Sequence, residues 1–121
     1  MESKLLADKI TELIFNKKGY DVKVLNLQNV TTMTDYFVIC TADSDTQVRA
    51  IADEVEKSLR DEGVKCWHKE GYRALNWVLI DYVDVVVHVF TKESRSFYNL
   101  EKLWGDAEII DVQDPAETVA Q

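Results

Sequence analysis

The side chains best suited to recognition crowd into one stretch. Residues 67–82 hold Trp67, Tyr72, Trp77 and Tyr82, interleaved with His68, Lys69, Glu70, Arg73 and Asp81. Trp, Tyr and Arg are the residue types that dominate the energetics of protein interfaces. Trp67 and Trp77 each have two readings on sequence alone. Either the ring completes the core, as aromatics commonly do, or it anchors a docking surface on a loop between strands. The expected docking residues are Glu70, Trp77, Asp81 and Tyr82, with His68 and Arg73 beside them. Trp77 and Asp81 fall on one strand face by a period of two. Tyr82 would extend the patch to the following turn, and Glu70 would enter from the end of a facing strand. An aromatic anchor ringed by carboxylates suits a Lys- and Arg-bearing partner.

Other candidate sites are weaker. Asp81 and Asp84, with Asp35 or Glu70, are the only carboxylates placed to hold Mg²⁺ for nucleotidyl transfer. That chemistry needs two or three convergent carboxylates. Asp84 falls in a turn and no Asp-x-Asp lies on one strand face, so no metal site is expected. Cys66 and His68 are spaced i, i+2 on one strand face, but two ligands do not make a zinc site. His88, between Val87 and Val89, reads as a core or edge histidine bonded to a carbonyl or carboxylate. The strand-to-helix switch at 41–44 is where many α/β proteins cradle phosphate. It contains no glycine, and Asp43 and Asp45 would repel an anion, so a capped helix start is the reading. No Ser or Cys triad motif is visible. The expectation is no enzyme, no catalytic residue and no cofactor.

These residues must be positioned by a small α/β domain. The chain has 121 residues, 46% of them hydrophobic, and only four Gly and one Pro, which excludes a disordered or Pro-rich chain. The net charge is −8. That argues against a general phosphate-backbone binder and leaves a basic protein as partner. Asp106, Glu108, Asp111, Asp114 and Glu117, with no Lys or Arg, concentrate acidity in the last residues. No signal peptide and no membrane-spanning run are visible, and two cysteines without Cys-x-x-Cys spacing lead to the expectation of a cytoplasmic protein.

Leu5, Leu6, Ile10, Leu13 and Ile14 recur at helical spacing over residues 3–17. Residues 21–27 and 36–41 read as buried strands. Ser44 and Gln47 have the form of a capping box, opening a helix with Val48, Ile51, Ala52, Val55 and Leu59 on one face. Strands follow at 64–69, 77–82 and 85–91, the last two as a hairpin. Phe97, Leu100, Leu103 and Trp104 form a last short helix. The order is α-β-β-α-β-β-β-α. The expected product is a mixed five-stranded sheet with flanking helices, in which 36–41, 44–62 and 64–69 make a parallel crossover unit. Domain 1–105 would be followed by an acidic mobile tail, 106–121.

Thr34-Asp35-Tyr36-Phe37-Val38-Ile39, Trp77-Val78-Leu79-Ile80-Asp81, Asp84-Val85-Val86-Val87-His88-Val89-Phe90 and the closing helix from Phe97 to Trp104 are four motifs in order. Together they resemble the Iojap family of ribosomal silencing factors over residues 3–105. Val83 departs from the glycine the family often has in the hairpin turn, and valine disfavours positive φ. The resemblance implies a nucleotidyltransferase-like fold without the transferase's catalytic site. It implies binding to ribosomal protein number fourteen on the large subunit, a steric block to joining of the small subunit, and lowered translation when nutrients are scarce. Organelle members instead assist large-subunit assembly. Members often form homodimers. The reading from another class is a small metal-dependent nucleotidyltransferase, which would need the glycine-bearing helix start and paired aspartates missing here.

Overall fold

A computed structural model describes residues 1–116. Residues 117–121 of the expected tail lie outside the described residues, as does the side chain of Phe97. The elements are α1 (Ser3–Asn16), β1 (Tyr20–Asn26), β2 (Tyr36–Ala42), α2 (Asp45–Asp61), β3 (His68–Glu70), β4 (Trp77–Asp81), β5 (Val85–Thr91), α3 (Lys92–Tyr98), α4 (Leu100–Leu103) and β6 (Glu108–Val112). The architecture is a mixed α/β domain, as the pattern predicts.

The sheet has six strands, not five, in the order β3-β4-β5-β2-β1-β6. The added strand comes from the segment expected to be a mobile tail. β6 runs antiparallel to β1, from Val22 opposite Val112 to Asn26 opposite Glu108. An ion pair between Lys23 and Asp111 fastens it. Among the described residues its only sheet neighbour is β1, and Ile109 and Ile110 both stay exposed, so the sequence shows no clean alternation.

The crossover also differs in detail. β2 takes β5 as its parallel neighbour, from Tyr36 opposite Val85 to Ala42 opposite Thr91. β3 has the predicted direction but lies beyond β5 and β4, pairing antiparallel with β4 alone. Three exposed residues make β3 too short and polar for the sheet centre, whereas the valine run of β5 is buried on both faces.

One face of the sheet is fully covered. The stripe Val48, Ile51, Ala52, Val55 and Leu59 of α2 and Leu6, Ala7, Ile10, Leu13 and Ile14 of α1 pack onto Val38, Cys40, Val78, Ile80, Val87 and Val89. α2 starts where expected: the Gln47 amide donates to Ser44 Oγ at 3.1 Å. The Gln47 side chain in turn accepts from the Asp43 amide at 2.7 Å.

The opposite face is only partly covered. Leu25, Leu27, Ile39, Phe90, Leu100 and Ala107 form a second, smaller cluster there. The expected single closing helix is broken in two by Asn99, whose backbone is left-handed at φ 38°. Buried Arg95 of α3 locks this cover in place. Its Nε donates to Glu101 at 2.9 Å, and its Nη1 donates to the Asp21 carbonyl at 2.9 Å and to Thr41 Oγ1 at 2.8 Å. α3 and α4 therefore roof one end of this face and leave the β3–β4 end open.

Candidate functional site

Strand register sets which side chains meet on the open face. Glu70, Leu79, His88 and Ile39 stand in one cross-strand row. His68, Asp81, Val86 and Phe37 stand in the next. Trp77 lies opposite Phe90. Alternate residues of a strand share a face. Glu70, Trp77, Asp81 and His68 therefore share this face, Trp77 and Asp81 by the period of two read from the sequence.

Tyr82 is not among them. It directly follows Asp81, so its ring turns to the opposite face and joins the core beneath α2, 8% exposed. Burial pushes its phenol well above the usual range. Arg73 is exposed in the loop between β3 and β4, outside both rows. That loop depends on Gly71, at φ 90°, where a Cβ would lie 1.9 Å from the Trp77 carbonyl oxygen.

Trp77 is half-buried, so its ring packs on the core and also keeps part of its surface toward solvent. Its ring lies 5.0 Å from Phe90 and 4.5 Å from Tyr98. Its indole N–H donates to Nδ1 of His88 at 3.1 Å. His88 is thus bonded to an indole rather than to the expected carbonyl or carboxylate. An imidazole that accepts at Nδ1 is neutral and carries its proton on Nε2. Burial favours the same state, lowering the pKa from 6.5 to about 3. Nε2 itself is buried and has no hydrogen-bond partner.

Two hollows flank Leu79 on this face. One, of about 280 Å³, is lined by Glu70, Gly71, Trp77 and Leu79. The other, of about 220 Å³, includes Met33, Phe37, Asp81, Val86, His88 and Trp104 in its wall. Asp81 is half-buried there, and its Oδ1 accepts from the Val83 amide at 2.7 Å, fixing the turn. His68 and Glu70 pair at 3.2 Å on the exposed edge strand. Met33, 84% exposed, and Trp104, packed edge-on to Phe37 at 5.6 Å, are contributors that sequence reasoning did not place here. Met33 lies in a polar loop with no periodicity to assign it a face. Trp104 read only as part of an amphipathic helix.

The remaining candidates do not assemble. Cys66 packs on the helix-covered side, with its thiol 3.6 Å from Glu56, so it does not share a face with His68. The strand begins only at His68, and the expected alternation fails before it. Glu56 also accepts from Tyr72 at 2.7 Å and from Lys69 at 3.1 Å. Among the described residues, no group of three or more His, Cys, Asp or Glu could hold a metal ion. None of the described helices is long and apolar enough to cross a membrane.

The described fold is a small mixed α/β domain with one partly open sheet face, and the comparisons with known proteins say to which family it belongs. The family model described as ribosomal silencing factor during starvation matches residues 1–121. Ribosomal silencing factor RsfS of Halalkalibacterium halodurans is 42% identical over 113 residues, 93% of this chain and 97% of that protein. The Bacillus subtilis protein of the same name is 45% identical over 97 residues, 80% of this chain and 82% of that protein. A crystal structure of a Chromobacterium violaceum protein superposes with a TM-score of 0.84 at 34% identity, covering 95% of this chain and 91% of that one. The chain belongs to the ribosomal silencing factor family. The relatives' names are those of regulators rather than enzymes.

Proposed function

We propose that this protein binds the large ribosomal subunit through ribosomal protein number fourteen, using the open sheet face around Trp77. Bound there, it blocks joining of the small subunit and represses translation under nutrient limitation. It works in the cytoplasm, and the same binding would also assist large-subunit assembly. A second copy of the chain is a further expected partner. The fold is read as nucleotidyltransferase-like with no catalytic site.

The observation that carries this reading is the half-uncovered sheet face, in a chain whose family is named for ribosome silencing. On it, Trp77 shares a hollow with Glu70 and Leu79, and Asp81 lies further along the same strand face. An apolar centre with an acidic rim complements a basic protein, and the net charge of −8 steers association with one. Steric occupancy needs only shape and charge, and this face offers both. Co-sedimentation through sucrose gradients tests the reading. The protein is expected to travel with isolated large subunits and to lower the yield of joined ribosomes when subunits are remixed. Co-migration with small subunits alone would overturn it.

A further inference from the structure

A polar cleft lies on the helix-covered side of β3, away from the docking rows. It measures about 310 Å³ and is lined by Glu56 and Arg60 of α2 and by Lys65, Cys66, Lys69 and Tyr82. Three of these six residues are cations, in a chain whose net charge is −8. The one carboxylate in the wall is already engaged. Glu56 accepts from the Tyr72 hydroxyl at 2.7 Å and from the Lys69 ammonium at 3.1 Å. Burial works against its charge, but the Tyr72 and Lys69 bonds outweigh burial and lower its carboxyl below the ordinary value. Glu56 and Lys69 therefore cancel. Arg60 and Lys65 have no ion-pair partner among the described residues, and both are exposed. Two positive charges are left uncompensated. The Arg60 head lies near the wall: burial raises the Tyr82 phenol, Cys66 and Glu56 add to the rise, and the Arg60 charge pulls it back. The carbonyls that end α2 do not oppose an anion here, because Leu59 and Arg60 accept from the Val64 and Gly63 amides at 2.8 and 2.9 Å.

We propose that this cleft binds the phosphate group of a small phosphate monoester, held by Arg60 and Lys65 with Lys69 beside them. Two uncompensated positive charges match a dianion. A monoester phosphate is close to that state at neutral pH, whereas a carboxylate or a phosphodiester carries one charge. A guanidinium presents parallel N–H donors to two phosphate oxygens, and an ammonium on a flexible stem can close on the remaining one. The acidity of the whole chain does not forbid this. The Debye length at physiological ionic strength is about 8 Å, so the cations of the wall outweigh carboxylates elsewhere on the surface. The volume stands at the low end of small-molecule sites, room for a phosphate and one ring. The site is separate from the docking face. Strand β3 divides them, with Lys69 turned to the cleft and His68 and Glu70 to the open face.

The test is an NMR titration of the full chain with phenyl phosphate, following backbone amide signals at an ionic strength held constant with sodium chloride. In wild type the amides of Arg60, Lys65, Cys66 and Lys69 are expected to move together and to saturate, with a Kd of about 1 mM or tighter. Combining Arg60→Gln with Lys65→Gln is expected to weaken binding at least about tenfold, the effect of losing charged hydrogen bonds. Glu56→Gln removes the negative charge from the wall and keeps an oxygen to accept from Tyr72 and Lys69, so it is expected to tighten binding several-fold. Lys102→Gln makes the same charge loss in exposed α4, on the other face, and is expected to bind like wild type. Shifts that never saturate in wild type would overturn the site. So would an equal loss in Lys102→Gln and the paired variant, because net charge alone would then explain the binding. If a short RNA without terminal phosphates competes as well as phenyl phosphate, the monoester is overturned as the ligand. No ribosome enters these titrations, so their failure leaves the functional reading standing, and the failure of that reading leaves the cleft standing.

Discussion

Acidification should destabilise this protein through His88 in an amount that can be worked out beforehand. The imidazole is buried and neutral, with its pKa lowered from 6.5 to about 3. The unfolded chain therefore takes up a proton as the pH falls through 6.5, while the folded chain takes it up only near 3. Proton uptake favours the unfolded state throughout that window. The contribution of the neutral histidine is full above about pH 6.5 and declines as the pH drops. Between pH 7.5 and 5.5 the loss is on the order of 1 kcal/mol, and it grows as the pH falls further. The upper window is the useful one, because pH 5.5 still lies above the sequence pI of about 4.7 and the protein keeps a net charge that opposes association.

The assay is urea unfolding at pH 7.5 and 5.5, on wild type and on His88→Asn. The comparison cancels every contribution common to both proteins. With m near 1.5 kcal/mol/M, the wild-type midpoint should fall by about 1 M more than the variant midpoint. Parallel movement of the two midpoints would show that His88 is not held neutral in the fold. The tautomer argument would then fall with it.

Three further outcomes follow from the same geometry. Asp81→Lys should slow association with large subunits at low salt, and the difference should shrink as salt screens the rim, as read from binding rates across a salt series. Gly71→Ala forces a Cβ onto the Trp77 carbonyl in a left-handed backbone position, so thermal melting should fall by on the order of 10 °C, with about 3 kcal/mol lost. Val83→Gly should stabilise the fold by about 0.5–1 kcal/mol in urea unfolding, because Val83 is exposed and held at φ 75°, where a β-branched residue is strained.

The parts of the fold legible in the sequence are those that bury one stripe or one run. α1, α2, β1, β2 and β5 each do so, and their apolar periods match their burial except at Leu5, which α1 leaves 58% exposed while Ala7 turns inward instead. β6 was illegible because its edge strand leaves both Ile109 and Ile110 exposed and carries the acidity of a tail. The position of β3 was illegible for a related reason. Nothing in three exposed polar residues tells a chain which strand they will join, and a crossover helix fixes direction more firmly than neighbour. The partner of His88 was hidden because it is set by register: Leu79 is the residue opposite, and Trp77 reaches the imidazole diagonally from two positions along the strand.

Tyr82 and Trp77 show how far side-chain type can mislead without the sheet. Both are aromatic, both lie in the recognition-rich stretch, and both were expected on the docking surface. Alternation separates them. Residues 77, 79 and 81 turn to the partly roofed face, and 78, 80 and 82 turn to the face under α2. The same alternation resolves the two readings of Trp77. A ring at the boundary between the roofed and open parts of a sheet must pack against Phe90 and Tyr98 and also remain half in contact with solvent. Core packing and solvent exposure are then not alternatives. The packing that holds the indole rigid, together with its bond to His88, removes rotamer freedom before any partner arrives. Less entropy is left to lose on docking, and this is how a small open face of few residues can serve as a binding surface.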